Sequence, residues 1–288
     1  MNDHGIGDTR RLGGKTVFLS ASVPRSERSN QFQTIQDAQI QIEEAVVSLT
    51  RAVLAEDGRL VFGGHPSISP LVGLVAAEYA LSRSPEGDEH SAHVRHNDGE
   101  RTELIQIFQS EAFRGYLPDE SWQLFRRGFA GVQWIPAVAN ERFNPELRSE
   151  PQCTLSLTRM RREMLERTSP IAMICIGGME GVEEEAKLFR EVCSNSRIYA
   201  FETTGGAARN LVNKTKSVRS FDKELMDRLH DNFSLPTDVE GERIENLVQR
   251  EDSKHDIRVV PYPLICQALV REIASEDEGF HIHVSASD

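Results

Sequence analysis

The chain has 288 residues, of which 39% are hydrophobic and 27% charged, as is ordinary for a globular protein with a sizeable core. Its net charge of −12 argues against nucleic acid as the main partner, because phosphate backbones are bound by clustered positive charge. No stretch approaches the ~20 apolar residues of a membrane span. The chain opens without a signal peptide and its four cysteines show no close pairing, so we expect a cytoplasmic protein.

Short apolar runs alternate with segments of helical periodicity along most of the sequence. The predicted strands are 16–20, 60–62, 103–108, 132–135, 171–176 and 198–201. The predicted helices cover 35–54, 71–81, 155–166 and 181–192, and two more begin near residues 205 and 262. This alternation predicts an α/β, Rossmann-like, doubly wound fold with a mainly parallel sheet flanked by helices.

The domain prediction is one unit over residues 1–288, because no linker or internal repeat is visible. Its core is expected over about 15–212, and an elaboration with a C-terminal helix over about 213–280. The polar, acidic tract from about 82 to 102 is predicted to be a long surface loop.

Three glycine pairs stand where predicted strands end: Gly63-Gly64, Gly177-Gly178 and Gly205-Gly206. In an open parallel sheet the carboxyl ends of the strands share one edge, and ligands bind in the crevice there. Glycine lets the backbone come close to a ligand and adopt positive φ. The three turns together therefore predict a nucleotide-shaped pocket.

The charges beside these turns differ. The helices that follow Gly63-Gly64 and Gly205-Gly206 open without an acidic residue, and a helix N-terminus of this kind attracts phosphate. The helix after Gly177-Gly178 opens with Glu180 and the run 183–185, which repel phosphate. We therefore expect phosphate at the first two turns, and a ribose or acid–base chemistry at the third.

Several separated motifs resemble one known family. Arg161-Arg-Glu-Met164, the strand 171–176 and then Gly177-Gly-Met-Glu-Gly-Val-Glu-Glu-Glu185 resemble the signature R-K-x-x-M…P-G-G-x-G-T-x-x-E of the lysine-decarboxylase-like LOG proteins. With Phe18-Leu-Ser-Ala-Ser22, Gly63-Gly-His-Pro-Ser-Ile-Ser69 and Thr203-Thr-Gly-Gly-Ala-Ala-Arg209, the pattern resembles the SLOG superfamily (Smf/DprA and LOG), and most of all its branch in bacterial immunity systems.

The resemblance implies a Rossmann-like fold that binds nucleotides or nucleotide-derived ligands. Some members hydrolyse the N-glycosidic bond of nucleoside 5′-monophosphates, and others are sensors of NAD-derived signals such as ADP-ribose or cyclic ADP-ribose. This chain departs from the hydrolase signature, because Ile176 replaces the proline, Val182 replaces the threonine and one residue is inserted before Gly181. Either Glu184 or Glu185 then stands at the signature glutamate.

Two functions follow as hypotheses. The first is a sensing module for a nucleotide-derived ligand in antiviral defence, without catalysis. The alternative is a LOG-like N-glycosidase that uses Arg161 with Glu184 or Glu185. The predicted ligand-binding residues are Ser20, Ala21, Ser22, Gly63, Gly64, His65, Ser67, Ser69, Gln109, Gly177, Gly178, Glu180, Gly181, Glu184, Gly205, Gly206 and Arg209. We expect no cofactor, metal, nucleic acid or membrane, and we expect a homo-oligomer with a possible separate effector protein.

Overall fold

The structure is a computed structural model. It describes residues 12–24, 32, 38–83, 93–95, 101–116, 119, 122, 130–147, 152–232 and 260–284.

Seven parallel strands form the central sheet, and two short strands form a separate antiparallel pair. In chain order the strands are β1 (Thr16–Ser22), β2 (Arg59–Gly63), β3 (His93–Arg95), β4 (Arg101–Glu103), β5 (Ile105–Ser110), β6 (Gly131–Ile135), β7 (Ala172–Gly177), β8 (Arg197–Phe201) and β9 (Val218–Ser220). The order across the sheet is β6-β5-β2-β1-β7-β8-β9, and β3 pairs with β4. Every pairing within the seven-stranded sheet is parallel, which confirms the predicted Rossmann-like α/β class.

Two sets of helices cover the two faces of this sheet. The helices are α1 (Ala38–Ala55), α2 (Ser69–Arg83), α3 (Thr154–Thr168), α4 (Glu180–Val192), α5 (Gly206–Lys214), α6 (Phe221–Asn232) and α7 (Tyr262–Val284). Buried residues of α1, α2 and α7 form one hydrophobic cluster with alternate residues of the strands, and those of α3, α4 and α5 form the other. Since both faces are covered, the central strand β7 carries no charged residue and all six of its residues are buried.

The strand order reverses between β1 and β7. From β1 the chain adds β2, β5 and β6 on one side, and it then returns to β7 on the other side of β1. Register pairs Ser20 with Cys175 and Ser22 with Gly177, so the two strands end side by side. The point at which the order reverses is the place where open α/β sheets bind ligands.

Several elements differ from the sequence prediction. The strand predicted at 103–108 runs from Ile105 to Ser110, because Glu103 belongs to the β3–β4 hairpin, and this hairpin lies in the tract predicted as a loop. The predicted elaboration begins with β9 and α6. These two elements were not predicted, because residues 213–232 are polar and show little periodicity. Residues 233–259 of the elaboration lie outside the described ranges. None of the helices in those ranges combines the length and hydropathy that a membrane crossing requires.

Candidate functional site

Polar residues of β1, α3 and α4 come together around one carboxylate near the carboxyl ends of β1 and β7. The Ser20 hydroxyl donates to Glu185 Oε2 at 2.5 Å. Arg161 Nε, which comes from α3, donates to Glu185 Oε1 at 3.0 Å. Three segments that are distant in sequence therefore converge on Glu185 at the point where the strand order reverses.

Both members of the central ion pair are largely removed from solvent. The Arg161 side chain is 11% exposed and that of Glu185 is 14% exposed. Burial opposes the charge of Arg161, but the carboxylates of Glu185 and Glu184 outweigh it, so the pKa of Arg161 lies above its ordinary value. The guanidinium stays charged, and the loss of either partner would leave an uncompensated charge in a partly buried site.

Glu184 occupies a different position from Glu185. Its carboxylate accepts from Arg161 Nη1 at 2.5 Å, yet its side chain is 63% exposed. Neighbouring residues of an α-helix project about 100° apart, so only one of the two glutamates can point towards β1. The structure gives that position to Glu185, which also follows Gly181 at the spacing of the signature.

Gly181 leaves room for the arginine. A Cβ atom at this position would lie 3.0 Å from Arg161 Nη2, which is closer than such contacts normally are. A side chain at this position would therefore require the end of Arg161 to shift by a few tenths of an ångström. The inserted residue before it does not separate the Arg161–Glu185 pair.

The glycine pairs after β7 and β8 pack against each other, and we call them the paired turns. Their four glycines have positive φ and are buried. The Gly178 carbonyl accepts from the Ala207 amide at 2.9 Å. A Cβ atom on Gly206 would lie 2.6 Å from that same carbonyl oxygen. The close backbone approach that these glycines permit is therefore an approach between two parts of this chain.

Hydrogen bonds involving Thr204 and Asp222 stabilise the paired turns. Thr204 Oγ1 accepts from the Gly177 amide at 2.8 Å and donates to the Phe201 carbonyl at 2.6 Å. The buried Asp222 carboxylate accepts from the Thr203 amide at 2.8 Å and from the Thr203 hydroxyl at 2.6 Å. Burial raises the pKa of Asp222, although these hydrogen bonds oppose the rise.

The turn after β2, residues 63–69, is built differently, and we call it the β2 turn. Gly63 and Gly64 are half-buried and do not belong to the glycines with positive φ. A Cβ atom on Gly63 would meet only Met160 Cε, at an ordinary 3.7 Å. This backbone is accessible, and it leads directly into the N-terminus of α2.

Side-chain hydrogen bonds, to other side chains and to the backbone, stabilise the β2 turn. His65 Nδ1 lies 2.8 Å from Ser67 Oγ, and the buried Ser69 hydroxyl donates to the His65 carbonyl at 3.0 Å. Gln109, at the end of β5, donates to the Gly64 carbonyl at 3.0 Å. These contacts fix the shape of the turn and leave Ser67 half-buried at its surface.

The remaining predicted residues are spread around this edge. Arg209 Nε donates to the Glu202 carbonyl at 3.3 Å, so Arg209 is attached to the turn after β8. Ser22 accepts from the Gly178 amide through its carbonyl at 2.8 Å, and Ala21 lies between it and Ser20. Glu180 is exposed at the start of α4.

Two residues with a bearing on the site were not predicted from sequence. Thr204 positions Gly177, and its place beside a glycine pair was the available signal. Gln41 Oε1 is buried and has no hydrogen-bond partner within the described part of the chain. Gln41 precedes Ile42, whose side chain lies against Gly177. Nothing in the sequence distinguishes Gln41 from the other polar residues of α1, so the burial of its Oε1 could not be predicted.

A cavity of about 340 Å³ lies at the opposite edge of the sheet. It is lined by residues at the ends of α3 and α4 and just after them, namely Leu165, Glu166, Ser169, Pro170 and the run from Val192 to Ser196. None of its lining residues is a predicted site residue. In the described ranges, no group of three or more His, Cys, Asp or Glu side chains is arranged to hold a metal ion.

Comparison with models of known protein families gives a match over most of the chain. The model of the SLOG cluster3 family matches residues 31–84 and 91–230, which is more than half of the chain. The matched residues include Gly63, Arg161, Glu185 and both glycines of the turn after β8. No curated protein matches the sequence.

Proposed function

The chain belongs to the SLOG cluster3 family, and we propose that it binds a nucleotide-derived small molecule at the carboxyl edge of its sheet. The observation that carries this proposal is the convergence of Ser20, Arg161 and Glu185 where the strand order reverses. SLOG membership suggests nucleotide-related binding or LOG-like activity, and this edge is where an open α/β sheet accepts a nucleotide.

The ligand's sugar belongs at Glu185 in this proposal. A carboxylate has about four lone-pair positions, and Arg161 and Ser20 use one on each oxygen, so Glu185 can still accept from a ribose hydroxyl. Its orientation is already fixed by these two donors, which lowers the entropic cost of binding.

The ligand's phosphate belongs at the β2 turn. Its backbone is accessible at Gly63 and Gly64, and its helix opens without an acidic residue, so the helix dipole favours an anion there. Met160 lies against Gly63 and is followed by Arg161, so the β2 turn and the Glu185 site border the same part of α3. One nucleotide can therefore contact both.

The finer identity of the ligand follows from the resemblance to immunity-type SLOG domains. We propose ADP-ribose, cyclic ADP-ribose or another NAD-derived signal, in an anti-phage context, with a homo-oligomer and a separate effector as partners. Isothermal titration calorimetry with ADP-ribose, cyclic ADP-ribose, NAD and AMP tests the proposal. Saturable binding of one of them supports it, and the absence of binding to all four overturns it.

A second candidate function is N-glycosidic hydrolysis. The observation in its favour is that the Arg161–Glu185 pair is assembled despite the altered signature. In this candidate function Glu185 would stabilise a positively charged sugar centre. Chromatography of AMP, CMP and NAD after incubation with the protein tests this candidate. Release of free base or nicotinamide by the wild type, and its loss in Glu185→Gln, would establish hydrolysis. Intact nucleotides after incubation would exclude it for these substrates.

A further inference from the structure

Arg161 is bound by two carboxylates that differ in how firmly they are held. Glu185 is 14% exposed, and its second oxygen is fixed by Ser20, whereas Glu184 is 63% exposed. Arg161 forms the only hydrogen bond recorded for the Glu184 side chain among the described residues. Arg161 Nε is therefore hydrogen-bonded to the largely buried Glu185, and Arg161 Nη1 is hydrogen-bonded to the exposed Glu184.

The remaining donor of this guanidinium is Nη2. It lies close to Gly181, and the hydrogen bonds of Arg161 to Glu185 and Glu184 use Nε and Nη1 instead. With Glu184 moved away, Nη1 and Nη2 would present the paired donors that bind phosphate or carboxylate in a bidentate manner. Glu184 is the exposed member of its pair with Arg161, so solvent screens its carboxylate and its long side chain must be held in place, and both effects weaken the contact.

We propose that Glu184 is a displaceable intramolecular anion, which occupies Arg161 Nη1 until an anionic group of the ligand takes its place. This inference rests on the proposed function and adds that the phosphate at the β2 turn also reaches Arg161, because Met160 lies against Gly63 and is followed by Arg161. Glu185 and Ser20 keep the guanidinium oriented throughout the exchange, while Glu184 sets how strongly an incoming anion must bind. A phosphorylated nucleotide displaces Glu184, whereas a neutral nucleoside has no group that competes for Nη1.

The charge of Glu184 is the property to change. We expect Glu184→Gln to bind AMP and ADP-ribose about three- to fivefold more tightly than the wild type, which is the range of an exposed ion pair. The affinity for adenosine should stay the same, because adenosine has no phosphate. Glu184→Ala, which removes the acceptor, should give at least the same gain for the two phosphorylated ligands.

Glu183→Gln is the matched control. Glu183 precedes Glu184 on the same helix, but its carboxylate pairs with Lys214 Nζ at 3.0 Å. The control removes the same charge from the same helix turn without touching Arg161. A gain for AMP in both variants, or an equal gain for adenosine, would show a general charge effect and overturn the proposal. Unchanged AMP and ADP-ribose affinities in Glu184→Gln would overturn it as well.

A second readout does not depend on nucleotide binding. Phenylglyoxal modifies accessible arginines, and peptide mass spectrometry measures the rate at Arg161. We expect this rate to rise at least about threefold in Glu184→Gln and to stay at the wild-type value in Glu183→Gln. An unchanged rate overturns the displaceable contact even if nucleotides bind. If the rate rises but no variant binds any of the probes, the proposed function and the anion role of Arg161 both fall.

Discussion

The paired turns and the β2 turn look alike in sequence and differ in structure. Gly177, Gly178, Gly205 and Gly206 are buried and have positive φ, and Gly206 closely approaches the backbone of Gly177 and Gly178. Gly63 is half-buried and would accept a Cβ at an ordinary contact distance. A glycine pair at a strand end can thus serve the packing of two turns, while a neighbouring pair remains accessible to a ligand.

This difference assigns separate tasks to the two halves of the sheet edge. The paired turns fix the start of α4, and through it Glu185, relative to β1. The β2 turn offers an accessible backbone and a helix N-terminus free of acidic residues. Stability should therefore respond to changes in the paired turns, and ligand affinity to changes in the β2 turn.

The largest effect is expected from Gly206→Ala. The new Cβ would overlap the Gly178 carbonyl at a residue with φ of 58°, so we expect the free energy of unfolding to fall by about 2–4 kcal/mol. Gly63→Ala is the matched control and should change it by no more than about 0.5 kcal/mol. Urea unfolding followed by circular dichroism measures both, and equal losses would remove the distinction between the turns.

A somewhat smaller loss of stability is expected from Asp222→Ala, which removes hydrogen bonds that stabilise the turn after β8. The substitution leaves the Glu202 and Thr203 amides and the Thr203 hydroxyl without their acceptor. We expect a loss of about 2–3 kcal/mol in unfolding free energy, with part of it restored in Asp222→Asn. A thermal unfolding midpoint equal to that of the wild type would show that the turns do not depend on this carboxylate.

Ser20→Ala should have a more local effect. It removes one hydrogen bond to the Glu185 carboxylate, which corresponds to about 1–2 kcal/mol of stability. Ser22→Ala, two residues along the same strand, provides the comparison, because the recorded contact of Ser22 with the Gly178 amide uses its carbonyl. Chemical denaturation of both variants measures the difference, and equal stability of the two would argue against the Ser20–Glu185 bond.

The smallest expected effect is a pH dependence through Asp222. Because burial raises its pKa in the folded state above the ordinary value of 3.8, the folded protein holds this proton more tightly than the unfolded chain. The stability of the wild type relative to Asp222→Asn is therefore greatest below pH 3.8 and falls as the pH rises through the folded pKa. A relative stability that increases over this window would contradict the direction of the shift.

Much of the fold could be predicted because it depends on local patterns. The run 171–176 is apolar at every position, as a strand buried on both faces must be, and it matches β7 almost residue for residue. The strand Val218–Ser220 was not predicted, because three residues with an arginine at the centre are too short to show the alternation of apolar and polar residues that indicates a strand.

The site was only partly predictable, for a related reason. The signature indicated Arg161 and a glutamate. Whether Glu184 or Glu185 faces β1 depends on the rotation of α4 about its axis, which is set by the residue at which α4 begins. The contact of Gly206 with Gly178 joins two turns whose spacing in the chain says nothing about their distance in space. Sequence motifs therefore identified the edge, and tertiary packing assigned the role of each turn.

A crystal structure of the protein with ADP-ribose tests the central claim most directly. The account predicts ligand density at the carboxyl edge, with a ribose hydroxyl within hydrogen-bond distance of Glu185 and a phosphate at the β2 turn. Ligand density in the cavity between the ends of α3 and α4, or at any place that does not contact Ser20, Arg161 or Glu185, would contradict it.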